Sequence, residues 1–329
     1  MGSDPLMQIN APNLDLKGDK EMALDMNPDF KGRDFLSIHD YTREEVAYIM
    51  QFALKLKKMQ KAGEPHQVLA GKTLGMIFQK PSTRTRVSFE VGMYQLGGYP
   101  LFLSPNDMQI GRGETIKDTA LTLSRYLDGI MIRTYSHDEV LELAEHATIP
   151  VINGLTDLLH PCQVMGDMMT ILEYKGTLQG IKLAFIGDGN NMAHSLLFGG
   201  AKTGMDVVVA CPKGYEPEER IIKMAHQDAL ETGARLWVVE DPREAIENAD
   251  VVYTDVWASM GQEKEAAEKE KHFARYQVNN KMLGLAKPDV IVMHCLPAKR
   301  GREITDEVMD GPNSVVFDEA ENRLHIQKA

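Results

Sequence analysis

From residue 42 onward, short apolar runs take turns with apolar stripes at helical spacing. Thr42 and Glu45 have capping-box spacing, and Val46, Ile49, Met50, Ala53 and Leu54 form one stripe. Residues 42–62 are therefore predicted to be a helix, broken by Gly63, Glu64 and Pro65. TLGMIF at residues 73–78 is the uninterrupted run of a buried strand, after which Val87, Val91 and Tyr94 recur at helical spacing until Gly97 and Gly98. Further strands are expected at residues 99–103, 129–133 and 149–152, with helices at 115–127 and 138–147. A helix over residues 161–174 leads to a second set, with strands at 181–186, 207–210, 236–239, 251–254 and 290–294. This alternation predicts an α/β fold of two domains, each a parallel sheet flanked by helices, with the active site in the interdomain cleft. The expected divisions are a leader or disordered arm at 1–29, a first domain at 30–164 and a second at 165–329.

Length and composition agree with that picture. The 329 residues suffice for two cores, and no apolar run reaches the roughly 18 residues of a membrane span. Three cysteines, far apart and in no CxxC pair, argue for a reducing, cytoplasmic setting and against structural zinc. A net charge of −12 argues against nucleic acid. It leaves room for a small anionic substrate, because remote carboxylates are screened over about 8 Å at physiological salt and arginines inside a cleft set the local potential.

The candidate chemistry begins at QKPSTRTRVSFE, residues 79–90, where alternating hydroxyls and guanidiniums stand at a strand-to-helix junction. Amides at a helix start lack intrahelical acceptors and the dipole favours negative charge, so Ser82, Thr83, Arg84 and Thr85 read as an oxyanion grip. The plainer alternative is a Ser/Thr cap followed by solvated arginines. There is no G-x-x-x-x-G-K-[ST], so nucleotide phosphates are not indicated. GDGNN, residues 187–191, follows a strand but has Met192 in place of the third glycine of a dinucleotide fingerprint. Asn190 and Asn191 remain to bind another polar ligand or to cap. Residues 255–271 read as a solvated excursion or a mobile lid. Asp255 and the pair His294 and Cys295 end neighbouring strands, where open parallel sheets present ligand groups. Cys211 reads as inert packing and Cys162 as a helix-start residue.

KPSTRTRVSFE, HPCQ at residues 160–163, DVWASMG at 255–261 and HCLPA at 294–298, in that order, resemble the carbamoyltransferases and specifically their ornithine branch, over about residues 30–329. The resemblance implies that carbamoyl phosphate lies on Ser82, Thr83, Arg84 and Thr85, with Arg133, His160 and Gln163 around its carbamoyl group. It implies that Cys295 and Leu296 face the reacting centre and that Arg323 completes the pocket, with the last helix returning to the carbamoyl-phosphate domain. Ornithine would meet Asn191, Asp255, Ser259 and Met260, and the catalytic group would comprise Cys295, Asp255, Arg133 and His160. Gln109 would reach a neighbouring subunit's site, so a homotrimer with shared sites is the expected assembly. No metal and no cofactor is required, because arginines supply the positive charge; no nucleic acid and no membrane partner is expected. Arg86 matches the motif without an expected contact.

The family's alternatives make different demands. An aspartate enzyme needs extra basic groups for a second carboxylate, and a putrescine enzyme has no use for the SMG loop. A catalytically silent anion binder has no chemical need for Arg84, His160, Asp255 and Cys295 together. Two departures stand out: VMGD follows HPCQ where the ornithine branch has ALAD, and the chain is expected to stop at Ala329 as the family's last helix begins.

Overall fold

The computed structural model describes residues 29–106, 108–110, 113–258 and 266–329. Residues 1–28, on which the leader expectation falls, lie outside them. Two compact units divide the chain: one takes residues up to Met165 together with Arg323–Ala329, the other Gly166–Asn322.

The first unit opens with α1 (Arg43–Ala62), and its boundaries follow from its caps. Thr42 accepts from the Glu45 amide at 3.2 Å while the Glu45 carboxylate accepts from the Thr42 amide at 2.9 Å, and Gly63 ends the helix at φ 70°. There follow β1 (Thr73–Phe78), α2 (Thr83–Gln95), β2 (Tyr99–Leu103), α3 (Ile116–Leu123), β3 (Gly129–Arg133), α4 (His137–His146), β4 (Val151–Leu155) and the start of α5 (Pro161–Lys175). The strands form one parallel sheet in the order β2-β1-β3-β4. Ile77, Ile130, Ile132, Val140, Leu143 and Val151 fill one core cluster, and Met76, Phe78, Phe89 and Met131 lie in another. Strand residues buried on alternate faces explain why these runs carry no polar alternation.

Two boundaries differ from the sequence expectation. Helix α3 stops at Leu123, where the Ser124 hydroxyl takes the Ala120 carbonyl at 2.7 Å. Strand β4 runs on to Leu155 through Asn153 and Gly154, because Phe35 pairs alongside it: Phe35 donates to the Val151 carbonyl and the Asn153 amide to the Phe35 carbonyl, both at 2.8 Å. Tertiary pairing there outweighs weak strand propensity.

The second unit contains β5 (Lys182–Ile186), α6 (Asn191–Thr203), β6 (Asp206–Ala210), α7 (Glu219–Thr232), β7 (Leu236–Val239), α8 (Pro242–Ile246), β8 (Val251–Thr254), α9 (Ala266–Phe273), α10 (Asn280–Leu283), β9 (Ile291–His294) and α11 (Asp306–Met309). Its parallel sheet has the order β7-β6-β5-β8-β9. Ile186, Val208, Val252, Val292, Phe273 and Tyr276 are among the residues of its core. The last element, α12 (Val316–Lys328), is a helix of 13 residues. The expectation that the chain ends as its final helix begins is thereby corrected: residues Val316–Lys328 are already helical. Among the described residues no helix is long and apolar enough to cross a membrane.

Candidate active site

In the first sheet the chain passes from β1 outward to β2 and then back to β3 on the other side, so the C-terminal ends of β1 and β3 border a topological switch point. The candidate grip, residues 82–85, follows β1 there. Ser82 caps α2 by accepting from the Thr85 amide at 3.2 Å. Thr83 is exposed, Arg84 half-buried and Thr85 buried. Arg133 is the last residue of β3; the register with β4 slips between Ile132 and Arg133, a bulge that re-aims the side chain. The Arg133 carbonyl accepts from the Gln79 amide at 2.9 Å, tying the strand end to the loop that precedes Ser82.

Arg323 is 2% exposed and donates to the Thr85 hydroxyl at 3.3 Å and to the Gln163 side-chain oxygen. Thr85, Gln163, Arg133, His160 and Arg323 are all buried within this unit. Burial first, then the charges of Arg323, Arg133, Arg84 and Lys80, hold the His160 imidazole well below its ordinary range. It is a neutral ring among cations, able to donate a hydrogen bond without carrying charge.

Lys80 is the group the sequence reading passed over. It is 3% exposed, pairs with Asp157 and lies 4.3 Å over the Tyr135 ring. Its place inside KPSTRTR was the available signal; its burial was not legible. Arg86 is engaged elsewhere, donating to Glu90 at 2.9 Å and stacking 3.7 Å over Phe102. Gln109 is exposed in the loop after β2 and joins none of these hydrogen bonds.

The second sheet has its switch point between β5 and β8. GDGNN follows β5, Asp255 follows β8 and Cys295 follows β9. Asn190 caps α6 through its side-chain oxygen, taking the Met192 and Ala193 amides at 2.9 and 3.3 Å, and turns its amide nitrogen to the Asp255 carboxylate at 3.1 Å. The Cys295 thiol donates to the other Asp255 oxygen at 3.0 Å. Burial first, and then the Asp255 charge, push that thiol well above its usual range, so Cys295 acts as a donor and not as a thiolate. Asn191 is half-buried at the start of α6. Leu296 adopts φ 57°, a strained value for a non-glycine residue, directly after Cys295. Ser259 and Met260 lie outside the described residues.

His294 does not partner the thiol. Its Nδ1 accepts from the Leu296 amide at 2.8 Å and its Nε2 faces Glu303 at 3.1 Å. Donor atoms of Asp255, His294 and Cys295 lie within 4.8 Å of one another, but seating an ion on the ring would cost one of these two bonds. The glycine turn is equally committed: the Gly189 amide donates to the Tyr215 carbonyl at 2.8 Å. A Cβ on Gly189 would meet backbone atoms of Tyr215, Glu216 and Pro217 at 2.3–2.5 Å. The loop after β6 thus packs on the face that a pyrophosphate would need. Cys211 and Cys162 are buried, their thiols pushed up by burial to about 12 and about 11.

Behind Cys295 lies a fully buried polar cluster that periodicity could not reveal. Glu319 accepts from the Tyr253 hydroxyl at 3.0 Å and from the His294 amide at 2.9 Å. Burial and then the charge of Asp167 raise its carboxyl well above the usual range.

Two parallel sheets, each with polar groups at the strand ends beside its switch point and one of them with buried arginines, have the architecture of an α/β transferase. The chain belongs to the aspartate/ornithine carbamoyltransferase family: its carbamoyl-phosphate-binding domain matches residues 33–173 and its aspartate/ornithine-binding domain residues 179–329. Among similar proteins, an ornithine carbamoyltransferase of Thermococcus kodakarensis is 60% identical over 298 residues, covering 91% of this chain and 95% of that protein. One of Halalkalibacterium halodurans is 63% identical over 299 residues, covering 91% and 94%. The solved ornithine carbamoyltransferase of Pyrococcus furiosus superposes with a TM-score of 0.89 at 59% identity, covering 91% of this chain and 96% of that one.

Proposed function

We propose that this protein transfers the carbamoyl group of carbamoyl phosphate to the δ-amine of L-ornithine, giving L-citrulline and phosphate, a step of arginine biosynthesis. The observation that carries the reading is a neutral, buried His160 set among Arg84, Arg133, Arg323 and Lys80. The phosphate dianion rests on Ser82, Thr83, Arg84 and Thr85, Arg323 completes the pocket, and Gln163 lies beside the carbamoyl group. As the amine attacks, a C–N bond forms, charge builds on the carbonyl oxygen, and the C–O bond to phosphate breaks. Arg133, His160 and the Thr85 hydroxyl donate to that oxygen. Thr85 already accepts from Arg323, which frees its own proton for the purpose. Loss of one such donor typically costs about 10² to 10³ in rate, roughly 3 to 4 kcal/mol.

The acceptor half is Asn191, Asp255, Ser259 and Met260, with Cys295 and Leu296 at the reacting centre. The δ-ammonium, with pKa about 10.4, must lose a proton, about 4 kcal/mol uphill at neutral pH. Asp255, aligned by Asn190 and Cys295, orients the amino acid while desolvation lowers that cost. The choice of ornithine is supported by relatives of about 60% identity, one described as anabolic. A homotrimer in the cytoplasm, Gln109 serving a neighbouring subunit, completes the proposal.

A substrate panel tests it. Turnover of L-ornithine is expected to exceed that of putrescine, N-acetylornithine and L-aspartate by far; preference for any of the three would overturn the assignment.

A further inference from the structure

The ornithine half-site rests on a buried ion pair to which the proposed reaction assigns no role. Asp188, in the turn after β5, is 9% exposed, and Lys269 of α9 is 4% exposed; Nζ lies 2.5 Å from the carboxylate. Buried charges of this kind persist only when paired. The pair is wired toward the site. The Asp188 carbonyl takes the Asn190 amide at 2.7 Å, Asn190 holds Asp255 at 3.1 Å, and Asp255 receives the Cys295 thiol at 3.0 Å. Lys269 also lies 5.6 Å over the Tyr215 ring, whose own carbonyl bonds Gly189 in the same turn, and Tyr215 packs edge-on against Phe273 of α9. The segment 259–265 is bracketed in sequence by two anchors, Trp257 stacked on Phe273 and Lys269 on Asp188.

We propose that Lys269, through Asp188, is a positioning residue for the amino-acid substrate: it fixes the turn whose Asn190 aligns Asp255, without touching either reactant. The inference rests on ornithine being the acceptor. Small displacements of a binding constellation cost far more than their size suggests, because reacting groups must be held within about 1 Å of the productive pose.

The test compares Lys269→Met, Lys269→Arg and the double variant Asp188→Asn/Lys269→Met with wild type, reading KM for each substrate and thermal stability. Lys269→Met is expected to raise KM for ornithine by about 10- to 100-fold and leave KM for carbamoyl phosphate unchanged. Lys269→Arg, which keeps the charge, is expected to stay near wild type. The double variant buries no lone charge, so it is expected to melt near wild type while keeping the raised ornithine KM. A folded Lys269→Met or double variant with wild-type ornithine KM, or an equal loss for both substrates, would overturn the inference. If Lys269→Met does not fold, the double variant decides. A wild type inactive on ornithine overturns the function proposed above and this inference with it; an active wild type with unaffected variants overturns this inference alone.

Discussion

Arg323→Met removes one buried cation and leaves the rest of the grip in place, so its consequences can be worked from the contacts. A hydrogen bond from a charged donor contributes about 1.5 to 3 kcal/mol, so losing the one proposed to carbamoyl phosphate predicts about a 10- to 150-fold weaker affinity for it. Thr85 and Gln163, each 1% exposed, lose the donors that Arg323 supplied, which adds a stability loss of about 2 kcal/mol. The first-named charge holding down His160 also disappears, while Arg133, Arg84 and Lys80 remain. The imidazole therefore rises toward its ordinary range, and the acid limb of the kcat/KM profile is expected to move to higher pH. Calorimetry with carbamoyl phosphate and steady-state kinetics over pH check both effects. Unchanged carbamoyl phosphate affinity in a folded variant, or an acid limb that stays in place, would refute the reasoning.

The raised carboxyl of Glu319 makes a signed prediction. With the folded value raised, the stability it contributes is full below the unfolded carboxylate value of about 4.3 and is lost as pH rises toward the folded value, by up to about 1.4 kcal/mol per pH unit. Glu319→Gln, which can keep partners for Tyr253 and the His294 amide, is expected to gain in melting temperature relative to wild type between pH 5 and pH 9; a constant offset would contradict this. Gly189→Ala places a Cβ 2.3–2.5 Å from backbone atoms and is expected to cost about 1 to 3 kcal/mol, read as a lower urea midpoint at unchanged m-value. An unaltered midpoint would mean that the Tyr215 loop yields freely.

The strands were legible because a parallel sheet buried on both faces writes itself as unbroken apolar runs: TLGMIF is a strand as read, and the runs read at 181–186 and 207–210 are strands at 182–186 and 206–210. So was the capping box of α1, whose signal is local. Strand β4 was cut short because Asn153 and Gly154 owe their strand geometry to Phe35, far away in sequence. For the candidate site residues, the placement at strand ends and helix starts was readable from position, as with Ser82, Arg133 and Asp255. Lys80, Asp188, Lys269 and Glu319 were not, since a charged residue in a sequence looks solvated whether it is buried or exposed. Only partners distant along the chain distinguish the cases: Asp157 for Lys80, Lys269 for Asp188, Tyr253 for Glu319.

The two switch points have a consequence for how such a protein can change. Each stands beyond the ends of its strands, so the sheet beneath it is scaffold and its loops are the variable text. The groups at the ends of β1 and β3 and those at the ends of β5, β8 and β9 belong to separately packed cores. On the proposed function, donor and acceptor are then held by separately packed elements. On that same function, a new nucleophile could be recruited by rewriting a few positions after β8, while the residues after β1 and at the end of β3 are left as they stand.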